Sequence, residues 1–280
     1  MSELAGSAFL MTEEDFQRAG SFLRQHAGVK LDNSKKTLVY ARLTKRLRAL
    51  RLRNFSEYFD LLDSAEGADE RIFAISQLTT HVTKFFREDH HFNTLSNHVL
   101  PGLLERAKRG ERVRIWSAGC SSGEEPYSVG MCSLEVDPKA ADYDFRILAT
   151  DIDPLTVDIG RHGVYPEASL ADISRERRQR FFARTDKSDL SVTNDLKRLV
   201  AFKSLNLLQA NDWPMKFQMD AVFCRNTVIY FDQPAQDLVW DRMSRLIRPG
   251  GYLFVGHSER VSERHKHAFS LIGTTTYMRQ

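Results

Sequence analysis

The residues best suited to chemistry lie in the stretch "IWSAGCSSGEEPYS", Ile115 to Ser128. Two adjacent carboxylates, Glu124 and Glu125, follow Gly119 and Gly123 and precede Pro126, a residue that opens helices well. A phosphate-binding loop would keep bare amides or a lysine here, because like charge in a partly buried site is costly. The glycines let backbone approach a ligand closely, and the acids favour a ligand of positive charge. Glu124 is equally well explained as a first-turn acid that complements a helix dipole. A further acid, Asp151, closes the run "FRILATD", where a carboxylate can accept hydrogen bonds from ribose hydroxyls.

The elements that position these residues follow from the pattern beyond residue 110. Strand-like runs alternate with helical ones: "RVRIWSA" then "EEPYSVGMCSLEV", "FRILATDID" then "PLTVDIGRHG", "RLVAFKSLNLL", "DAVFCRN" then "QPAQDLVWDRMSRLI", and "GGYLFVGHSE". Such alternation predicts an α/β fold with a doubly wound, mostly parallel sheet, closed by two short apolar strands in "HAFSLIGTTTYMRQ". Ligands of such sheets sit beyond the carboxyl ends of the strands. That gathers Ser117 to Glu125, Asp151 and Asp153, Asn206, Arg225 and Asn226, and His257 to Glu259. S-adenosylmethionine meets the demand of these residues, since it carries a ribose, an ammonium and a sulfonium and no phosphate. Between Tyr165 and Lys197 the alternation lapses into a charged helix, "SRERRQRFFA", and a polar stretch, "RTDKSDLSVTND", that reads as a small hairpin.

Residues 1–80 read as a helical domain. "TEEDFQRAGSFLRQHAG" has Thr12 as its cap, acids in its first turn and Gly28 as its stop. In the next helix Val39, Leu43, Leu47 and Leu50 share one face, with Arg42, Lys45, Arg46 and Arg53 on a flank. From Lys35 to Arg53 there are eight Lys or Arg and no acid, which marks either a solvated face or a surface for an acidic partner. Two more helices fall around "NFSEYFDLLDS" and "ADERIFAISQLTTHVTKFFRE". A net charge of only +3 makes the whole molecule a poor polyanion binder. The three cysteines form no Cys-x-x-Cys pair, and no signal peptide or membrane span is legible, so a reduced cytoplasmic protein is expected. Of nine histidines, the adjacent His90 and His91 lack the spacing of helical metal ligands and read as surface or capping residues, so no metal is expected.

The blocks "LTTHVTKFFREDHHF", "RIWSAGCSSGEEPYS", "ATDIDP", "SLNLL", "DAVFCRNTVIYFD" and "RPGGYLFVGHSE" occur in the order of the chemotaxis receptor methyltransferases, and the chain resembles that family over about residues 10 to 280. The resemblance implies a methyltransferase of the S-adenosylmethionine-dependent type that esterifies glutamate side chains on the cytoplasmic helices of chemoreceptors. It implies a helical receptor-binding domain over 1–80, a linker over 81–110 that contributes to the cofactor site, and a catalytic domain over 111–280 with a small β-subdomain near 184–200. Cofactor contacts are implied at His81, Thr83, Arg87, Glu125, Asp151, Asn206, Leu207, Arg225 and Asn226, with Arg87 and Tyr230 beside the reaction. His81 stands where the family usually has Asn. Arg42, Lys45, Arg46 and Arg53 are expected to hold the substrate helix. The β-subdomain stretch is short and has no glycine, so docking of a receptor carboxy-terminal tether is not expected. Two rivals have different chemistry. One is a methyltransferase for nucleic acid or a small molecule; amino-directed nucleic-acid enzymes commonly carry Asn/Asp-Pro-Pro-Tyr/Phe after the fourth strand, and "CRNTVIY" stands there instead. The other is a non-catalytic cofactor-sensing or receptor-binding module, which would need no intact Arg87, Asp151, Arg225 and Tyr230. A monomer that binds no nucleic acid is the expected form.

Overall fold

A computed structural model describes residues 9–185 and 189–280 and divides into two compact units. The turn of the expected hairpin, 186–188, and the amino-terminal 1–8 lie outside the described residues.

The smaller unit holds α1 (Glu13–Ala27), α2 (Lys36–Leu50), α3 (Phe55–Asp63) and α4 (Ala68–Leu78). Thr12 and Asp15 form a reciprocal capping box at α1, and Gly28 ends it in the left-handed region. Val39, Leu43 and Leu47 are fully buried, as the periodicity of α2 requires, Leu50 at its end is half-buried, and α2 packs on α1, α3 and α4. Each such side chain contributes about 1.5–3 kcal/mol on leaving water. The run expected as a fourth helix stops at Leu78, where the Thr79 hydroxyl bonds back to the Ile75 carbonyl. Tyr230–Asp232 joins this unit from far along the chain. The Lys30 amide donates to the Tyr230 carbonyl at 2.9 Å, Val29 bridges Phe231, and Arg24 pairs with Asp232 at 2.7 Å.

The larger unit runs α5 (His90–Thr94), α6 (Leu100–Lys108), β1 (Val113–Ala118), α7 (Glu124–Val136), β2 (Phe145–Asp151), α8 (Pro154–His162), β3 (Val164–Tyr165), α9 (Arg175–Phe181), β4 (Phe182–Arg184), β5 (Leu190–Val192), α10 (Asn194–Leu199), β6 (Val200–Ser204), β7 (Met219–Cys224), α11 (Gln233–Leu246), β8 (Ile247–Val255), β9 (Phe269–Gly273) and β10 (Thr276–Arg279). Seven strands form one sheet in the order β6-β2-β1-β7-β8-β10-β9. The first five are parallel, and β9 and β10 run antiparallel at one edge. Ile115, Ile147, Ala149 and Phe202 face α7, α8 and α10, and the Trp116 indole on the opposite face donates to Thr150 Oγ1 at 2.9 Å. A second sheet, β3-β5-β4, is short and antiparallel. It begins earlier than the stretch 184–200 read from the sequence, because β3 enters it after α8, and residues 194–199 are helical.

Candidate functional site

The order β6-β2-β1-β7 reverses chain direction between β1 and β7, so a crevice opens at their carboxyl ends. Four loops meet there. Gly119 and Cys120 donate their amides to the Thr150 carbonyl at 2.8 and 2.9 Å, which ties the loop after β1 to the end of β2. The Leu205 amide, after β6, donates to the Asp151 carbonyl at 2.9 Å. Gly119 has φ +83°, and a Cβ there would stand 2.2 Å from Thr227 Oγ1 on the loop after β7. Only glycine allows this approach, so the loop after β1 is a close-fitting cradle.

Asp151 orders the crevice floor. One oxygen accepts from the Ser121 amide at 2.8 Å and the other from the Asp153 amide at 3.1 Å. Each keeps acceptor capacity for a ribose hydroxyl. Burial raises the Asp151 pKa, and the two amides pull it back. Asp153 caps α8 and lies 3.2 Å from His81 Nε2, while the His81 carbonyl takes the Ser121 hydroxyl at 3.0 Å. His81 therefore lies against the Asp151 loop. Asn206 Oδ1 accepts from the Leu208 amide, and the Leu207 carbonyl is held by Trp213 and Arg242 at 3.2 and 3.0 Å.

Glu125 has a partner that spacing did not reveal. It is buried and accepts from Ser117 Oγ at 2.7 Å and from Arg225 at 2.9 Å. Burial raises its pKa, and the guanidinium counters that. Its charge is thus met first by the protein, which corrects the expectation of two carboxylates waiting for a cation. Glu124 is also buried, bonds to Ser122 Oγ at 2.7 Å, and has its pKa raised by burial.

Arg225 is the hub. It pairs with Glu125 and, at 3.3 Å, with Glu88, and also donates to the Arg87 carbonyl. Glu88 further meets His257 at 3.0 Å. Burial alone would raise the Glu88 pKa, but His257 and Arg225 outweigh it and hold the carboxyl at about 2. Phe86 and Glu88 have φ of 53° and 57°, and Ser121 and Asn226 have 49° and 56°. Left-handed backbone at residues other than glycine costs roughly 1–2 kcal/mol each. Its clustering in these loops is the pattern of a built site. The Arg87 side chain donates to the Val82 carbonyl at 2.8 Å and makes no ion pair among the described residues.

Sequence reasoning gathered Glu259 with the strand ends but did not reveal its role. It is buried, and its carboxylate accepts four backbone amides: Asn226 and Gly256 at 2.7 Å, Thr227 at 2.9 Å and Ile229 at 3.2 Å. The motif "GHSE" held the signal, but only the fold brings the loop after β8 onto the loop after β7. Among the other expected residues, Thr83 lies half-buried on the 81–89 segment, and Tyr230 belongs to the helical unit through the Lys30 amide.

The expected histidine placement also changes. His91 is fully buried and bonds to Thr275 Oγ1 at 2.8 Å, so it is neither a surface nor a capping residue. Glu88, His90 and His91 offer ligand atoms within 4.8 Å of one another, but Glu88 is already neutralised by Arg225. Burial first, and then Arg225, push the His91 pKa down to about 3. Below pH 6.5 the unfolded chain takes up a proton that folded His91 refuses, so this contribution to stability is lost as pH falls from about 6.5 to about 3. The buried acids Glu124, Glu125 and Asp151 act with opposite sign. Urea unfolding at pH 7 and pH 5 of the parent and of His91→Gln separates the terms. The loss between the two pH values is expected to be greater in the parent by on the order of 2 kcal/mol, and an equal loss would remove His91 from the account.

On the helical unit, Arg42 donates to the carbonyls of Gln77 and Thr79 at 2.6 and 2.9 Å, closing the end of α4. Arg46 forks onto Glu70, which also takes the Tyr58 hydroxyl, and stacks on Phe73 at 3.9 Å. Arg53 pairs with Glu57. Two of the four expected substrate cations are therefore bracing, because α4 packs against the flank that periodicity leaves open. Lys45, Arg48 and Arg51 are exposed and form no ion pair among the described residues.

A glycine cradle after β1, an acid at the end of β2 and this strand order are those of an S-adenosylmethionine-dependent methyltransferase. The chain belongs to the CheR methyltransferase family: the SAM-binding domain of that family matches residues 81–278 and its all-alpha domain matches residues 14–79. It is 48% identical to a probable chemotaxis protein methyltransferase of Rhizobium etli over 90% of this chain and 94% of that one. It is 41% identical to chemotaxis protein methyltransferase 2 of Pseudomonas aeruginosa, covering 96% and 94%, and 38% identical to the Escherichia coli chemotaxis protein methyltransferase, covering 95% and 91%. No helix among the described residues is long and apolar enough to cross a membrane.

Proposed function

We propose that the chain methyl-esterifies glutamate side chains on the cytoplasmic helices of chemoreceptors, in sensory adaptation. The observation that supports this is Arg87, whose carbonyl is tied to Arg225 at the crevice and whose guanidinium makes no ion pair among the described residues. An anionic group completes it, either the substrate carboxylate or the carboxylate of the cofactor. The names of the relatives support the pathway.

The residues fit the cofactor. Asp151 would hold its ribose, Asn206 and Leu207 its adenine, and Arg225, Asn226 and Glu125 its methionine end, with His81, Thr83 and Arg87 closing over it. When bound, S-adenosylmethionine supplies an electrophilic methyl group on a sulfonium and leaves as S-adenosylhomocysteine. A glutamate carboxylate is ionised at pH 7, with a reference pKa of about 4.3, so the protein need supply no general base. Its work is to orient the acceptor and exclude water. Arg87 would register the acceptor.

Calorimetric titration with S-adenosylmethionine and S-adenosylhomocysteine is expected to show saturable binding of both. Incubation with a receptor cytoplasmic fragment and methyl-labelled cofactor is expected to give label that mild base releases as methanol. Base-stable label, or label in nucleic acid, would overturn the carboxylate acceptor. Absence of binding would support a non-catalytic module.

The exposed Lys45 and Arg53 of the expected set, joined by the exposed Arg48 and Arg51 in place of the internally bonded Arg42 and Arg46, form the proposed substrate face. Reversal at Lys45→Glu with Arg48→Glu is expected to raise KM for receptor fragment about tenfold or more and flatten its salt dependence, with kcat kept. An unchanged KM would reject this face.

A further inference from the structure

Parallel sheets are ordinarily covered on both faces. On the face of Trp116, the centre is filled by Trp213, whose ring meets Trp116 at 4.9 Å, and α11 packs on β8. No helix lies in the connection 205–218 between β6 and β7, so the β2–β6 side of this face is open. What remains is a groove of about 470 Å³. Leu148 and the exposed Ala201, neighbours across β2 and β6, form its floor, and Met215 and Phe217 form its far wall. Phe217 is 47% exposed, and the Arg112 guanidinium stacks on its ring at 3.7 Å.

The charge on the groove is one-sided. Arg114, Arg146, Lys203 and Lys216 line it, and no carboxylate does. Asp144 at its lower end is shared between Arg112 and Arg114. Arg146 bonds only to the carbonyls of Tyr143 and Phe145, and Lys203 and Lys216 pair with no acid among the described residues. An aliphatic floor between unneutralised cations is the complement of a helix with an apolar stripe flanked by carboxylates. The seven residues of β2 span about 23 Å, which matches a helix of roughly 15 residues. Single-stranded nucleic acid would call for stacking platforms, and the ring of Phe217 is already taken by Arg112.

We propose that this groove docks an acidic amphipathic helix of a partner protein, which takes the place that a crossover helix between β6 and β7 would fill. The upper end of the groove reaches Thr150 and Leu205, beside the cofactor crevice, and the proposal does not depend on which acceptor is methylated.

The test uses the full chain and a labelled synthetic helical peptide of about 15 residues, with leucines at i, i+3/i+4 and i+7 and glutamates on both flanks. The control is a scrambled peptide of the same composition. Fluorescence anisotropy is expected to show the amphipathic peptide binding about tenfold or more tighter than the scramble. Two variants at exposed positions, whose melting temperatures should stay at the parent value, are expected to weaken binding by a similar factor. Lys203→Glu with Lys216→Glu reverses the rim, and Ala201→Trp fills the floor at constant charge. Equal affinity for both peptides, or no loss in either variant, would overturn the proposal. So would tighter binding of single-stranded DNA, or self-association in sedimentation that the same variants abolish.

Discussion

Replacement of Arg225 by methionine is expected to cost about 3–5 kcal/mol of stability in urea unfolding, the largest effect of any single substitution considered for this chain. The Arg225 side chain is 2% exposed and touches two carboxylates, Glu125 at 2.9 Å and Glu88 at 3.3 Å, and its loss strands Glu125 and leaves Glu88 with His257 alone. Methionine fills much of the volume, so the deficit is electrostatic and not a cavity. The diagnostic is the double variant. Adding Glu125→Gln removes the stranded charge, and Glu88 keeps His257, so stability should recover by about 1–3 kcal/mol relative to Arg225→Met alone. A double variant no more stable than the single one would mean that Glu125 and Arg225 do not act as a pair.

Glu259→Gln tests the second buried anchor. The side chains are nearly isosteric, but one oxygen becomes an NH2 group that faces backbone donors. Either Asn226 and Gly256, or Thr227 and Ile229, then lose their acceptor. At about 1–3 kcal/mol for each unsatisfied buried donor, the cost is on the order of 2–5 kcal/mol. Because the carboxylate sets the left-handed turn at Asn226, S-adenosylhomocysteine affinity should fall about tenfold or more while the sheet stays intact. Amide hydrogen exchange reads this directly: Asn226, Thr227, Ile229 and Gly256 lose protection, and the amides of β1 and β2 keep theirs. Unchanged protection at the four positions would contradict the role.

Periodicity carried the architecture a long way. The alternation in "RVRIWSA" and "FRILATD" placed Ser117 and Asp151 at strand ends, and the α2 spacing picked out Val39, Leu43 and Leu47 as core. Local pattern failed wherever a side chain finds its partner across the fold. Arg42 and Arg46 resemble solvent cations until α4 arrives with two carbonyls and Glu70. Glu88 gave no signal, since its role depends on a left-handed turn and on Arg225, far along the chain. His90 and His91 read alike as a pair, yet only His91 is sealed against Phe254 and Thr275. The connection between "RLVAFKSLNLL" and "DAVFCRN" drew no reading from the sequence, because strand register is needed to see which sheet face it uncovers.

The strap Tyr230–Asp232 bears on how the chain is made. The amino-terminal helices leave the ribosome first, yet the partners of Arg24, Val29 and Lys30 are translated some two hundred residues later, the Arg24 and Asp232 pair being separated by 208 positions. Vectorial synthesis therefore presents this unit with one edge unfinished until α11 is about to be made, and a fragment cut after Thr80 would retain that raw edge permanently.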